Sequence, residues 1–415
     1  MSKIEELIER LCPNGVEYKT IGEVATYRRG SFPQPYTNSS FYGGDGAMPF
    51  VQVADIEDNG FKLKEKTKQT ISKIAQPKSI YAPKGTVICS IQGTIGRVAI
   101  TQFDSYIDRT IAIFESFKIE INKRFFAYCI ELKFGIEKQF ARGSTLKTIT
   151  KEEFTKFRIP VPPLEVQCEI VHILDDFTLL SAELSAELKA RQKQYEYYLY
   201  KLISDSKKIT KNKLYELTIW DKKFNAVENY MQPNVKKYPT LLAVDLFNLE
   251  RENGNVFLLS TGGQRGWTTE EVAGDNISEG EVVTIPWGKS RPVQEVMKYY
   301  CGKFVTGDNR IATSNDIKKL NNKYLFYWMQ TQSERIDKFY RGSGIQHPNM
   351  RNVLTLEIEL PSIDEQKRIV SILDKFEKLC NDISQGLPAE IEARQKQYEY
   401  YRDKLLTFKE LKVNE

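Results

Sequence analysis

Basic side chains occur in glycine-rich or polar segments of the sequence that show no clear helical or strand periodicity. Arginine is the usual bidentate partner of guanine in the major groove, and lysine or arginine beside glycine can approach phosphates. The basic candidates are Arg28, Arg29, Arg97, Arg142, Lys147, Arg265, Lys289, Arg291, Arg310 and Arg341. Ordinary surface charge is the more common explanation for any one of them, whereas the whole set favours contact with nucleic acid.

Amide and aromatic side chains accompany these basic residues. Glutamine and asparagine are bidentate partners of adenine, and aromatic rings can pack on bases or sugars. The candidates of this kind are Gln34, Tyr36, Gln92, Gln264, Trp267, Gln346 and Asn349. Together with the basic residues they predict a DNA-binding surface made of loops.

Enzyme signatures are incomplete in this sequence. Gly288-Lys289-Ser290 resembles the end of a phosphate-binding loop, but position 283 is Val where that motif requires Gly. The glycine loop and the Asn- or Asp-Pro-Pro-aromatic motif of an adenine methyltransferase do not occur. The six cysteines form no CxxC pair and there are only two histidines, which argues against a zinc site. We therefore expect no catalytic residue, no metal and no cofactor in this chain.

The elements that must position these residues form a tandem repeat. The string ARQKQYEYY occupies residues 190–198 and returns at 393–401. Upstream, residues 165–177 match 364–376, and Phe140 with Arg142-Gly143-Ser144 matches Phe339 with Arg341-Gly342-Ser343. The loops differ between the copies, since TGGQRGW (261–267) and PWGKSR (286–291) have no counterpart in the first half. A repeated scaffold with unlike loops is typical of two modules that recognise different targets.

The repeats contain apolar or long-stemmed side chains at alternating steps of three and four residues, which predicts two long paired helices. The residues expected to form the helix pairing or a subunit interface are Phe177, Leu184, Leu188, Arg191, Tyr195, Tyr198, Phe376, Ile383, Ile391, Arg394, Tyr398 and Tyr401. The second copy has four extra residues between Phe376 and Ala393. Gly386 and Pro388, which lie there, are expected to kink or restart the helix. We expect the helices to pair antiparallel, with an approximate internal two-fold axis.

The chain is therefore expected to be an α+β protein of four segments. Residues 1–162 form a first target-recognition domain with an N-terminal helix at 3–11, and residues 163–204 a first spacer helix. Residues 205–361 form a second target-recognition domain and residues 362–415 a second spacer helix. The 60 basic and 55 acidic residues give a net charge of only +5, so any nucleic-acid site must be a local patch. A charged amphipathic N-terminus and the lack of long apolar runs predict a cytoplasmic protein without membrane contact.

The two variable domains, each followed by a helix that begins near PPLEVQ or PSIDEQ and ends in ARQKQYEYY, resemble the specificity subunits of type I restriction–modification systems. The resemblance covers essentially the whole chain, and residues 27–33 and PFVQVADI (49–56) also resemble the first recognition domain of that family. It implies that double-stranded DNA is bound, that each domain recognises one half of a bipartite asymmetric site, and that the helices set the spacer. It further implies two modification subunits that bind S-adenosylmethionine and methylate adenine, and restriction subunits with ATP-driven translocase and nuclease activity. The chain itself would be non-catalytic.

Two other functions are compatible with parts of this sequence. A coiled-coil scaffold with protein-binding β-rich modules would share the helices and the composition, but would lack salt-dependent, sequence-selective DNA binding. A stand-alone methyltransferase or nuclease would be active without partners, and the missing motifs argue against it. The resemblance does not extend to the base preference of the second domain, which departs from the family pattern at TGGQRGW (261–267).

Overall fold

The computed structural model describes residues 3–58, 60–140, 151–262, 266–382 and 385–411. It divides into two compact units, of which the first comprises Met1–Glu187 with Ala389–Glu415 and the second Leu188–Pro388. Each unit contains helices and strands, so the predicted α+β class is confirmed. Each unit also contains part of both helical repeats. The boundaries of the four predicted segments remain a prediction. No helix in the described ranges is long and apolar enough to span a membrane.

In the described residues the first unit contains ten strands, four complete α-helices, the first part of a fifth and nearly all of the last one, α14 (Leu387–Leu405). In chain order the elements up to the fifth helix are α1 Lys3–Leu11, β1 Tyr18–Thr20, α2 Ile21–Val24, β2 Ala25–Arg29, β3 Met48–Val51, β4 Gln69–Ile71, β5 Ile80–Ala82, β6 Val87–Ser90, β7 Val98–Ile100, β8 Ser105–Ile107, β9 Ile111–Phe117, α3 Lys123–Phe140, α4 Lys151–Thr155, β10 Arg158–Pro160 and α5 Leu164–Asp205.

Two four-stranded sheets, ordered β2-β9-β6-β7 and β4-β3-β8-β5, form the body of the first unit, and β1 pairs with β10 beside them. Side chains of β6 alternate between two cores, as the period of two along a strand requires. Val87 and Cys89 pack into the aromatic core around Phe114 and Phe126, whereas Ile88 packs into a second apolar cluster. Burial on both faces explains why β6 is continuously apolar up to Ser90.

The second unit contains ten strands and most of the remaining helices. In chain order the elements that follow α5 are β11 Thr210–Lys213, α6 Leu214–Leu217, β12 Thr218–Trp220, α7 Ala243–Asn248, β13 Val256–Leu259, β14 Gly266–Thr268, α8 Glu270–Ala273, β15 Ser278–Pro286, α9 Val293–Val296, β16 Lys298–Thr306, β17 Asn309–Ser314, α10 Asn322–Thr331, α11 Ser333–Asp337, β18 Tyr340–Arg341, β19 His347–Pro348, α12 Met350–Leu354, β20 Glu357–Leu360, α13 Ile363–Asn381 and α14 Leu387–Leu405.

A six-stranded sheet ordered β12-β17-β15-β16-β13-β14 forms the body of the second unit. Val283 and Ile285 of β15 pack towards the buried helix α10, and Val282 packs on the opposite side against Phe257 and Phe304. Strand β11 pairs with β20 just as β1 pairs with β10. The two units therefore share a two-stranded base and differ in the sheets built on it.

The long helices follow the sequence prediction closely, with one interruption. The first forms as α5 from Leu164 to Asp205, against the predicted 163–204. The second is divided, because α13 ends at Asn381 and α14 begins at Leu387. A β-carbon at Gly386 would lie 2.6 Å from the carbonyl oxygen of Lys378, so only glycine fits this break. The expected restart near Gly386 and Pro388 is confirmed, and α14 ends at Leu405 whereas the predicted helical segment ran to 415.

Within each unit, a segment of α5 packs on a segment of the second repeat. In the first unit the rings of Phe177 and Tyr401 stack with centroids 5.5 Å apart. In the second unit Tyr198 stacks on Phe376, also at 5.5 Å. These pairs are the same two positions of the repeat taken in opposite order.

The direction of the pairing in the second unit is antiparallel. Tyr198 lies against Phe376, while Tyr195 and Arg191, earlier in α5, lie close to Cys380, later in α13. Burial in this seam raises the pKa of Tyr195, and a similar position in the first unit raises that of Tyr398. Both tyrosines therefore stay protonated and act as packing residues.

The other predicted seam residues are partly or fully shielded where the structure describes them. Leu184 is buried, and Leu188, Ile391 and Arg394 are half-buried. Arg394 donates to Gln397 at 3.0 Å, and Arg191 makes the same contact with Gln194. Ile383 lies outside the described residues.

Candidate nucleic-acid interface

Two buried glutamines hold the helices to the domains in the same way in both units. Gln167 donates to the carbonyl of Pro162 at 2.8 Å and accepts from the backbone amide of Asn122 at 2.8 Å. Gln366 repeats this with Pro361 at 3.0 Å and Asn321 at 2.9 Å. Such bonds satisfy backbone groups that would otherwise be buried without partners. They fix the start of each long helix to the domain before it.

A carboxylate about two turns farther along each helix makes a second repeated anchor. Asp175 accepts from the guanidinium of Arg124 at 2.6 Å and from the hydroxyl of Tyr128 at 2.7 Å. In the second unit Asp374 accepts from Tyr327 at 2.6 Å and pairs with Lys323 at 2.9 Å. Burial and the neighbouring carboxylate raise the pKa of Tyr128.

Two arginines predicted to lie in a loop of the first unit are on a strand instead. Arg28 and Arg29 are the last residues of β2, which pairs with β9. Both side chains are exposed, and Arg28 is 2.7 Å from the carboxylate of Glu115. The loop assignment was wrong because the short polar strand gains its order from a distant partner strand. Gln34 follows in the loop after β2 and is exposed.

The structure brings three candidates of the first unit together at one cavity of about 660 Å³, lined among others by Tyr36, Gln92 and Arg97. Arg97 donates to the carbonyl of Ile56 at 3.0 Å and forms an ion pair with Asp58. Its guanidinium is therefore held in place, at a site of largely compensated charge.

Two glutamines that the sequence did not single out lie beside Tyr36. Its hydroxyl donates to Gln69 at 3.1 Å and accepts from Gln52 at 2.5 Å. Neither glutamine is glycine-flanked, and Gln69 belongs to β4, so neither fits the pattern of a glycine-rich polar loop. Gln52 lies within PFVQVADI (49–56), the segment that resembles a recognition domain, whereas Gln69 is marked only by its place at the start of a short strand.

A run of lysines between Phe61 and Lys73 was also missed. All five carry exposed side chains, and in the described part of the chain none of them forms an ion pair; they are Lys62, Lys64, Lys66, Lys68 and Lys73. Alternating lysines without a glycine-rich context resemble any solvated segment, so composition alone does not mark them as a site.

Two basic candidates of the second unit are internal rather than exposed. The side chain of Lys289 is 8% exposed, lies 2.6 Å from Asp337 and covers the ring of Tyr340. Arg310 is on β17, not in a loop, and its side chain is 2% exposed. The prediction that these two lie at an open loop surface was wrong, because acidic partners distant in sequence draw them inside.

Arg310 lies in a compact internal network. Its guanidinium is 2.8 Å from Asp221 and contacts Asp308, and it stacks under Trp287 at 4.6 Å. Burial raises the pKa of Asp221, and the positive charge of Arg310 opposes that rise. Through the contact between Arg310 and Trp287, the network packs against the loop that follows β15.

Two loops of the second unit, the one after β15 and the one between β18 and β19, contact each other next to this network. Lys289 and Gln346 exchange backbone hydrogen bonds of 3.1 and 3.3 Å, and the ring of His347 packs on Trp287 at 4.9 Å. Arg291 is exposed in the loop after β15. Arg341 is also exposed but lies on strand β18, where it is opposite His347 of β19. The prediction that Arg341 lies in a loop was wrong, because two residues of a short hairpin carry no strand periodicity.

The remaining candidates of the second unit have varied surroundings. Asn349 caps α12 by accepting from the backbone amide of Asn352 at 3.3 Å. Trp267 is 43% exposed and packs edge-on against Phe257 at 5.2 Å. Arg142, Lys147, Gln264 and Arg265 lie outside the described residues. Within the described ranges, no group of three or more side chains could hold a metal ion.

Comparison with known proteins places this chain among DNA specificity proteins. A family model described as the type I restriction modification DNA specificity domain matches residues 13–194 and 243–393. Over 329 residues the chain is 32% identical to a putative type I restriction enzyme specificity subunit of Haemophilus influenzae, covering 70% of this chain and 74% of that protein. Over 313 residues it is 30% identical to a type I restriction enzyme specificity subunit of Escherichia coli, covering 69% and 72% respectively.

A solved structure agrees at the level of the fold. The S subunit of a type I restriction–modification system from M. genitalium superposes with a TM-score of 0.56 at 12% identity, covering 94% of this chain and 96% of that one.

Proposed function

Because this chain belongs to the type I restriction modification DNA specificity family, we propose that its two units recognise the two halves of one bipartite, asymmetric DNA site. The chain is the DNA sequence-recognition subunit of such a system. The regions that contact DNA lie within residues 1–162 and 205–361, and the exposed members of the candidate set provide the contacts.

One observation carries the two-half assignment: the units repeat the same anchors but not the same sheets. The glutamine and carboxylate contacts of Gln167 and Asp175 recur at Gln366 and Asp374. Two four-stranded sheets in the first unit stand where the second has one six-stranded sheet. The same helix anchors beneath different sheets fit two domains that both recognise DNA but recognise different sequences.

The helical repeats are proposed to set the number of base pairs between the half-sites and to dock two modification subunits. Those subunits would bind S-adenosylmethionine and methylate adenine in each half. Restriction subunits would add ATP-driven translocation and cleavage. This chain would contribute DNA recognition and no catalysis of its own.

A methylation map tests the proposal. The chain is co-expressed with the modification subunit of the same system in a host without adenine methylation, and the modified adenines are located by sequencing. We expect one bipartite motif that disappears when this chain is left out. An assembled complex that binds S-adenosylmethionine but methylates no defined motif would contradict the proposal and favour the protein-binding scaffold.

A further inference from the structure

We infer that Tyr36, Gln52 and Gln69, here called the amide cluster, determine the base recognised at one position of the half-site read by the first unit. The cluster is proposed to favour an A·T pair by hydrogen bonding to the major-groove edge of its adenine. This inference rests on the proposed function, which it extends to particular side chains and one base in the first unit.

The three side chains are joined in a closed ring of hydrogen bonds. The amide nitrogen of Gln52 donates to the hydroxyl of Tyr36 at 2.5 Å and to the carbonyl oxygen of Gln69 at 3.0 Å. The hydroxyl of Tyr36 donates to the same oxygen of Gln69 at 3.1 Å. These bonds occupy the amide nitrogen of Gln52 and the carbonyl oxygen of Gln69. What the pair can still offer a ligand is the carbonyl of Gln52 and the amino group of Gln69.

That remaining pair of groups matches adenine. In the major groove adenine presents the N6 amino donor and the N7 acceptor, side by side. An acceptor from Gln52 and a donor from Gln69 reproduce, with two side chains, the contact that one glutamine makes alone. Guanine offers two acceptors at this edge and would leave the carbonyl of Gln52 without a donor.

The cluster is half-buried, with Tyr36 its most exposed member, and packing and strand pairing hold it in place. The ring of Tyr36 packs edge-on against Phe32 at 5.1 Å and against Tyr42 at 5.6 Å. Gln69 lies opposite Phe50 in the β3–β4 pair, and Gln52 follows the end of β3. Side chains fixed before binding lose less conformational entropy when a ligand arrives.

A buried carboxylate positions both glutamines. Asp55 is 2% exposed, and it accepts from the backbone amide of Gln52 at 2.8 Å and of Lys68 at 2.7 Å. Asp55 therefore clamps the two chain segments that carry the cluster. It is a positioning residue with no open side towards a ligand.

The positive charge near the cluster is concentrated on one side, since the cavity that Tyr36 and Gln52 line also contains the carboxylates of Glu57, Asp58 and Asp108. The exposed lysines 62, 64, 66, 68 and 73 lie on the segment that contains Gln69, and Asp55 holds the backbone of that segment. Lysines beside a rigid amide pair provide the usual division between phosphate contacts that position and side chains that specify. Without these lysines, a half-buried and hydrogen-bonded pair of amides would fit a structural role better.

Substitution of Gln69 with Leu in the co-expressed complex tests the inference. The change removes the donor and keeps the size of the side chain. We expect one position of one half-site to lose its preference for an A·T pair, by about tenfold or more, with the other half-site unchanged. Q52L should relax the same position, and Y36F, which frees the cluster but keeps the ring, should relax it less.

Gln76→Leu is the matched control, since its amide donates to the backbone of Gly46 at 2.9 Å rather than to a side chain; its motif should stay that of the parent. An unchanged motif in both Q69L and Q52L would overturn the inference while leaving the bipartite function intact. Loss of methylation at all sites from an assembled Q69L or Y36F complex would also overturn it. Absence of any motif in the parent complex would instead refute the proposed function.

Discussion

At the residue scale, the lysines at positions 62–73 should contribute affinity without sequence information. Replacing Lys66 with Ala should weaken binding to specific and unrelated duplexes by a similar factor, because a phosphate contact is the same on every sequence. The slope of log affinity against log salt should fall in magnitude by about one. Fluorescence anisotropy over a series of salt concentrations measures both effects.

Lys375→Ala is the control for this charge effect. Lys375 is exposed on α13, so its replacement removes the same charge far from the proposed contacts in sequence. An equal fall in salt slope for Lys375→Ala would mean that net charge alone governs binding. A change in the recognised sequence on replacing Lys66 would contradict a phosphate role.

Arg310 should matter for stability rather than for base recognition. Arg310→Met removes the partner of the buried Asp221, and breaking such a pair costs about 3–5 kcal/mol of unfolding free energy. Burial already raises the pKa of Asp221 above 3.8, and without the guanidinium it should rise further. The folded state then holds a proton that the unfolded state has released, so stability falls as pH rises through that window.

Denaturant unfolding in mildly acidic and neutral buffer measures this loss, which should be larger at neutral pH. Arg341→Met is the control, since Arg341 is exposed and its loss should change stability by less than about 0.5 kcal/mol. A pH-independent loss in Arg310→Met would refute the role assigned to Asp221.

The candidate site could be predicted from the sequence only in part. Residue type and glycine context led to the prediction that Tyr36 and Arg341 contact DNA, and both side chains are exposed, as such a contact requires. The same criteria failed for Lys289 and Arg310, because a basic residue is drawn inside only by a carboxylate that folding brings close. Asp221 is 89 residues from Arg310 along the chain, and no local pattern records that partnership.

At the element scale, α5 is one uninterrupted helix from Leu164 to Asp205, so residues inserted into it should lengthen the helix directly. A Ser-Ala-Glu-Leu tetrad inserted after Leu188 repeats residues 181–188 and should extend the helix by about 6 Å. We expect the spacer to grow by about one to two base pairs, with both half-site sequences unchanged. The methylation map reads both quantities at once.

Insertion of the same tetrad after Gln385 is the matched control. This position lies in the break between α13 and α14, where the added residues can be taken up by the turn rather than by a helix. The spacer should then change less than with the insertion in α5. A half-site that changes while the spacer stays constant would refute the role of the helix.

The helices and the repeat were the most predictable elements of the fold. Apolar spacing located the helices at residues 3–11 and 163–204 to within a residue, and Gly386 with Pro388 located the break. The sheets were less predictable, since strands of three or four residues carry little periodicity. Their order also depends on pairings such as β3 with β8, which adjoin in space but not in sequence.

At the scale of the whole molecule, the paired strands β1–β10 and β11–β20 mark where one recognition region can replace the other. Thr20 lies opposite Arg158, and Lys213 lies opposite Glu357. Residues 21–157 and 214–356 are therefore each inserted between the two strands of an equivalent antiparallel pair. Both regions begin with a four-residue helix, α2 or α6.

Replacing residues 214–356 with residues 21–157 should therefore give a chain that folds and that recognises the first half-site twice. The anchors at Gln366 and Asp374 would face Asn122 and Arg124 of the transplanted region, which stand in the places of Asn321 and Lys323. The methylation map should show two copies of one half-site, and the reverse exchange should show two copies of the other. A folded chimera that retained the parental second half-site would mean that bases are read outside these regions, because every loop of the original second sheet would then be gone.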